Sequence, residues 1–376
     1  MKKENKSVKA YKGFNKYMQC TPNGEIFQYE IGKEYKEDEA NLCHCGFHAC
    51  ENPLDVLSYY NNIDDKFCEV ELDEIDPNRN RDSKICGKKI KIDIEIGFLG
   101  LFKAGIEWIK NKTIFTKEDF KKLPSSDDAK ISSSGNYAQI GSSGYNVQIG
   151  SSGDDAQIGS SGDGAKIGSS GDYVQIGSSG DYVQIGSSGY NVKIGSSGDD
   201  AKISSSGNYA QIGSSGYNVK IGSSGDDAKI GSSSDNAKIG SSGDGAKIGS
   251  SGDYAQIGSS GDYVQIGSSG YNVQIGSSGD YVQIGSFGHN AKIGSSGDDA
   301  KIGSSGDDCV IMCAGINSSA KAKIGSWITL AEWKYSEEKQ KYIPFSVVTK
   351  QVDGIEIKED VYYTLQDGKF KESKQQ

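Results

Sequence analysis

From Ile131 to Ile311 every ninth residue is isoleucine, 21 in succession without a break. That period constrains the fold more than any other feature, because units of fixed length build arrays in which each unit touches only its neighbours. The unit reads Gly-Ser-Ser-Gly-Asp-Tyr-Val-Gln-Ile, as at 168–176, and its positions are numbered 1 to 9 here. Position 9 is Ile throughout, position 7 is Ala or Val except at Cys309, and position 8 is Lys or Gln except at Val310. Apolar residues flanking a polar one give the period of two of a strand with one buried face. The Gly-Ser-Ser-Gly that follows supplies small residues and permissive backbone for a turn. A lone short strand cannot bury its apolar side, whereas stacked coils of a parallel β-solenoid can. Two units per turn make an 18-residue flattened roll and three a 27-residue triangle; Ala and Ile facing Ala and Ile fill a thin interior, which favours the roll. At about 4.8 Å per coil the rod is then roughly 50 Å long.

The predicted class is mainly β: a parallel β-solenoid, β-roll or β-helix, of nonapeptide repeats over 125–324. It is preceded by an N-terminal α+β domain over 1–124 and followed by a C-terminal β capping segment over 325–376. In the first domain, Val8–Phe14, Ile26–Ile31, Phe67–Leu72 and Lys89–Ile94 read as strands. Pro53–Tyr60, after the plausible cap Glu51-Asn52, reads as a short helix, and Gly97–Asn111 has amphipathic helical spacing. In the last segment Trp327–Trp333 and Ile343–Val348 read as strands, with Asp353-Gly354 and Asp367-Gly368 as hairpin turn signals. Capping the open edge of the solenoid is the role expected of it.

Charge is distributed unevenly. The formal net charge is −10. Residues 125–311 hold 10 Lys and 20 Asp, a difference of −10, so the flanks together are neutral. An acidic rod disfavours nucleic acid and anionic lipid and favours basic partners or cations. Eleven units carry Tyr at position 5 or 6, and nine of these have Gln at position 8, while units without Tyr favour Ala at 7 and Lys at 8. Strict alternation would place positions 6 and 8 on one face, pairing Asp200 with Lys202 and setting Tyr173 beside Gln175. The candidate interaction surface is accordingly Asp172, Tyr173, Asp181, Tyr182, Asp199, Asp200, Asp226, Asp227, Tyr254, Tyr263, Asp298 and Asp299. Calcium-binding nonapeptides place Gly, Asp and the apolar residue differently, so no ion is expected there.

Six of the eight Cys precede residue 125, and the run Cys43-His44-Cys45-Gly46-Phe47-His48-Ala49-Cys50 is dense in potential ligands. Cys43, Cys45, His48 and Cys50 are the candidates for zinc, but a second separated Cys pair is missing, so reduced thiols are the expectation. Cys50 or Cys45 activated by His48 is the corresponding nucleophile reading. No phosphate loop, Ser–His–Asp set or paired-carboxylate motif stands out, and neither a cofactor nor a catalytic residue is assigned. No apolar run is long enough to span a bilayer, and the charged start, Met1-Lys-Lys-Glu, predicts no secretory signal.

The segments Lys9-Ala-Tyr-Lys-Gly-Phe-Asn15, Gly46-Phe-His-Ala-Cys-Glu-Asn-Pro-Leu-Asp-Val56 with Tyr59-Tyr60, and Ile94-Glu-Ile-Gly97 resemble a family of uncharacterised phage and prophage proteins. Members are similar in layout, with this N-terminal domain, short Gly/Ala/Ser-rich repeats, and a segment like 320–333 and 361–369. The repeats here are more regular and richer in Ile and Asp. The resemblance implies a viral origin and action inside a bacterial host, hence a cytoplasmic site with virion association as the alternative. Three function classes follow. The leading one is a non-enzymatic interaction protein whose acidic rod occupies a host protein, such as a nucleic-acid-handling or defence complex, in an anti-defence or DNA-mimic role. The second is a fibre, spacer or glycan-binding module. The third is an enzyme in 1–124, with Gly46–Tyr60 faintly similar to ADP-ribosyltransferase folds and His48 and Tyr60 as the residues to test. A homo-oligomer is expected, with no membrane and no direct nucleic-acid contact.

Overall fold

The computed structural model describes residues 7–62, 64–78, 83–113 and 126–373. The chain divides into two compact units, Met1–Trp108 and Ile109–Gln376.

In the first unit five strands form a small barrel-like sheet: β1 (Val8–Phe14), β2 (Glu34–Lys36), β3 (Phe47–Cys50), β4 (Lys66–Ile75) and β5 (Lys84–Glu95). Their order is β2-β5-β3-β1-β4, and a further pairing of β4 with β5 closes the ring. Inward alternation along the strands buries Ala10, Phe14, Phe47, Val70, Leu72, Ile90 and Ile92. The expected strand at Ile26–Ile31 shrinks to Phe27–Gln28, pairing with Gln19–Cys20; Ile26 and Ile31 are exposed because that segment is not part of the barrel. Pro53–Ser58 is a 3-10 helix, capped by the Asn52 side chain accepting the Leu54 N–H. Helix α1 (Gly97–Thr113) starts beside β4 and buries Phe98, Leu101 and Phe102, with Phe98 against Phe67.

The nonapeptides fold into a parallel β-solenoid of two units per coil. Ile149 pairs with Ile167 and Ile158 with Ile176, a step of 18 residues on each side. Alternate units build two parallel sheets, which reach 13 strands each with the C-terminal strands included. The first sheet runs from Lys130–Ser133 to Val310–Cys313 and the second from Gln139–Ser142 to Lys301–Ser304. Positions 7 and 9 of both sheets form one continuous apolar interior. Position 2 also points inward, and its Ser is buried at nearly every coil. At Ser142 and Ser232 the hydroxyl accepts the N–H two residues on, tightening the turn.

Every residue at position 6 adopts the left-handed conformation, from Asp128 to Asn317, with φ near +55°. This explains why Asn, Asp and Gly recur there, since a short polar side chain or none at all tolerates that region. It also overturns the expected sharing of a face by positions 6 and 8. The left-handed residue breaks strand alternation, so position 6 sits on the turn and position 8 on the flat sheet. The Asp200 carboxylate accepts from Asn218 Nδ2 of the next coil, with no salt bridge to Lys202 among the described residues. Tyr173 packs against Tyr190 of the next coil rather than lying beside Gln175.

Position 4 is Gly for a different reason. A Cβ on Gly225 would lie 2.1 Å from the Gly207 carbonyl oxygen of the preceding coil, so the turns stack too closely for a side chain.

Antiparallel hairpins end the stack. Trp327–Ser336 joins the first sheet and pairs with Lys341–Gln351, while Tyr363–Gln366 and Lys369–Glu372 extend the second. Asp367-Gly368 is the expected hairpin turn, both residues having positive φ. Asp353-Gly354 is not one. Asp353 Oδ1 instead accepts the N–H groups of Ile355, Glu356 and Ile357, holding a loop; the longer hairpin turns at 337–340.

Candidate functional site

Two edges of the rod carry the acid. Outgoing turns lead from the first sheet to the second and returning turns lead back. Of the predicted surface residues, Asp172, Tyr173, Asp226, Asp227, Tyr263, Asp298 and Asp299 fall on the outgoing edge. Asp181, Tyr182, Asp199, Asp200 and Tyr254 fall on the returning edge. The structure therefore splits the set into two parallel columns. Each edge receives ten of the twenty Asp, roughly one carboxylate per 5 Å of rod.

Position-5 carboxylates are fixed by the coil that follows. Asp154 Oδ1 accepts the Asp172 N–H at 2.9 Å, Asp181 accepts from Asp199 at 2.8 Å, and Asp280 accepts from Asp298 at 2.7 Å. One oxygen of each group is thus committed to the main chain, leaving the other on an exposed edge. Asn136 and Asn208 do the same with their amide oxygens. Tyr at position 5 has no acceptor on so short a stem; there Tyr217 and Tyr271 instead take a hydrogen bond from Asn236 and Asn290 of the next coil. Tyr rings also meet along the edges, Tyr190 lying between Tyr173 and Tyr209, and Tyr263 stacking on Tyr281 with centroids 5.0 Å apart.

The two flat faces differ from each other. On the first sheet the position-8 row is exposed along its whole length. On the second, most equivalent side chains are half-buried, and Gln211, Lys229 and Gln265 are buried to 5–6% exposure. Burial, with Lys229 nearby, pushes the Lys247 ammonium down to about 8.

Within the first unit, Tyr11, Lys12, His48, Tyr59, Tyr60 and Lys84 line a pocket of about 510 Å³. Strands β1, β3 and β5 supply Tyr11, Lys12, His48 and Lys84 to this wall. His48 and Tyr60, singled out from the sequence, do converge here. His48 Nε2 accepts the Cys43 N–H at 2.9 Å, so the lone pair a base would use is occupied. Burial and the neighbouring Lys84 and Lys12 push its imidazolium down to about 4. Tyr60 OH donates to Cys20 Sγ at 2.9 Å, and burial pushes the phenol up. Lys12 is buried and donates to the His48 carbonyl, while Lys84 stands 4.6 Å from the Tyr59 ring centre.

Cys43, Cys45 and Cys50 lie around the same pocket, and Cys50 is buried. Among the described residues no three His, Cys, Asp or Glu side chains gather as a metal site. Burial raises the thiols of Cys68 and Cys86 to about 12 and about 11, which keeps them protonated.

Sequence reasoning missed the open first-sheet face and the apolar patch at its end, where Val310, Met312, Trp327, Phe345 and Val347 are exposed. The signal was present in the repeat itself, which breaks at Val310 and Met312.

Residues 8–104 match a domain of unknown function, DUF7666. This covers the barrel unit and leaves the repeats and terminal hairpins outside it. No curated protein and no solved structure matches the chain. No helix among the described residues is long and apolar enough to cross a membrane.

Proposed function

We propose that the chain is a non-enzymatic binding protein whose rod engages a macromolecule with a basic surface through its two carboxylate columns. The observation that carries this reading is the fixing of position-5 carboxylates by the next coil's amide. A charge row held by the main chain costs little side-chain entropy on binding. Two straight acid columns flanking a narrow body bear a coarse likeness to the paired phosphate strands of a duplex. Duplex DNA carries a charge every 3.4 Å per strand, against roughly one per 5 Å here. Ten Lys on the flat faces reduce the net charge further without entering either edge. The partner class supported by this pattern is a protein with a nucleic-acid-binding groove, and the resemblance to phage proteins favours a bacterial host as its source.

The pocket of the barrel unit supports chemistry less well. The His48 imidazole is neutral with Nε2 engaged, and the Tyr60 hydroxyl is committed to Cys20.

Asn is the test substitution, because Asn136 and Asn208 already make the ladder bond. Replacing Asp172, Asp226, Asp244 and Asp262 together by Asn removes four charges from the outgoing edge and keeps their acceptors. Full-length wild type and variant are compared for binding to a positively charged DNA-binding protein and for retention of proteins from bacterial lysate. Salt-sensitive binding that the variant loses at unchanged melting temperature is the expected result. Equal binding by both would remove the acidic edge from the mechanism.

A further inference from the structure

The outer face of the first sheet is both flat and bare. Its position-8 row, including Lys166, Lys202, Lys220 and Lys238, is exposed. The neighbouring position-1 row is almost all Gly, and a Cβ added at Gly168, Gly222, Gly240 or Gly258 would meet nothing within 4 Å. The two rows enclose an open trough of about 1620 Å³ running along the rod. At the C-terminal end the rows turn apolar. Val310 and Trp327, paired in register, continue the Lys/Gln row, while Met312 continues the Gly row. Their exposures are 40%, 45% and 55%, on the face where exposed apolar surface marks an interaction site.

We propose that this face pairs with the same face of a second copy, the two rods parallel and related by a twofold axis along their length. All strands cross the face in one direction, from position 8 to position 1. Rotation about the long axis reverses that direction, so the Lys/Gln row of one rod lies over the empty Gly row of the other. At the end, Val310 and Trp327 of one copy come level with Met312 of the other. Antiparallel rods would instead set Lys on Lys and the apolar end on Lys130 and Ser132. Beyond the Gly row stands the outgoing edge, whose carboxylates, Asp172, Asp226, Asp244 and Asp262 among them, are the counter-charges for the partner's lysines. Both ladders repeat at about 4.8 Å, so register is kept along the rod. A face about 50 Å by 13 Å buries roughly 650 Å² per copy, or about 1300 Å² in total, within the range of stable interfaces. The pairing shares the outgoing carboxylates with the acidic-edge reading and leaves both returning edges free for a partner.

Gly222→Trp and Gly240→Trp test it cleanly, since the open space over both residues lets the single rod accept the ring. Sedimentation of the full chain across a concentration series is expected to give a dimer for wild type. Both Trp variants and Met312→Asp should be monomeric at concentrations where wild type is dimeric, with unchanged circular dichroism and melting temperature. A monomeric wild type, or a dimer that both Trp variants keep, would overturn the proposal. Loss of the dimer with retained lysate binding would separate it from the reading above.

Discussion

Asp226 Oδ1 accepts the main-chain N–H of Asp244, one coil further along the rod, at 3.1 Å. The same side chain is therefore a charge on the surface and a rung in the structure, and substitution can separate the two roles. Asp226→Asn keeps the acceptor and should leave stability within about 0.5 kcal/mol of wild type. Asp226→Ala removes it and should cost about 1 kcal/mol, the ordinary net worth of a hydrogen bond. Urea unfolding of the two variants checks the order, and equal losses would show that charge and not the bond matters.

Glycine has opposite meanings at two positions of the same nonapeptide. Gly225 at position 4 faces the Gly207 carbonyl at 2.1 Å from where a Cβ would sit, and Gly240 at position 1 faces open space. Gly225→Ala forces the coils apart and should cost about 2 kcal/mol, in the range of overpacked cores. Ser234 occupies position 4 naturally, so the stack can shift to admit one Cβ. Gly240→Ala should be neutral or slightly stabilising, because a strand loses less entropy with Ala. Thermal unfolding of both variants decides whether coil stacking or strand propensity sets glycine usage.

Much of this architecture was legible because it is periodic. Ile at every ninth position and Ala or Val at position 7 fixed the strand and its buried side, and favoured the two-unit coil over a three-unit one. What periodicity could not convey was the left-handed backbone at position 6, which moves Asp200 away from Lys202 and onto the edge. Alternation holds only while φ stays extended, and the Asn, Asp and Gly at that position were the available sign that it does not. The carboxylate ladder was hidden for a related reason. Its partners, such as Asp226 and Asp244, are 18 residues apart and meet only once the coil size is known. In the first unit, Pro53 after Asn52 marked a helix start correctly, but the pairing of β1 with β4, as at Val8 and Leu72, depends on long-range register that no local pattern carries. The convergence of His48, Lys12 and Lys84 on one pocket was equally non-local.

Tyr182 occupies the left-handed position with φ +57° and is 65% exposed. A bulky side chain there costs roughly 1 kcal/mol relative to a residue that tolerates the region. Tyr182→Asn should therefore stabilise the rod by about that amount, raising the melting temperature by roughly 2–4 °C for a unit of this size. A fall instead would mean that the ring makes a contact worth more than the strain.

His48 should titrate far below a free imidazole. The folded state holds it neutral to about 4, whereas an unfolded histidine takes its proton near 6.5. Between those values the unfolded chain binds more protons, so the barrel unit loses stability as pH falls from 6.5 towards 4. His48→Gln can still accept the Cys43 N–H, and it should flatten that part of the stability profile. Imidazole proton resonances of wild type, assigned by their loss in the variant, report the midpoint directly; a value near 6.5 would mean that the pocket is wet and its lysines distant.

Lys247 gives the opposite window. Its ammonium is pushed down to about 8 by burial and by Lys229, while the unfolded side chain keeps its proton to 10.5. From 8 to 10.5 the unfolded chain again holds more protons, so stability rises with pH across that interval, and at neutral pH the buried charge is a cost. One pKa unit corresponds to about 1.4 kcal/mol, so the full penalty is on the order of 3 kcal/mol. Gln stands at the same position in neighbouring coils, as at Gln211 and Gln265, and fits the site without charge. Lys247→Gln should therefore stabilise the chain near pH 7 by at least about 1 kcal/mol and abolish the rise between 8 and 10.5. Urea midpoints of wild type and variant at pH 7, 9 and 10.5 measure both effects. Parallel profiles at the three pH values would show that the Lys247 ammonium reaches water.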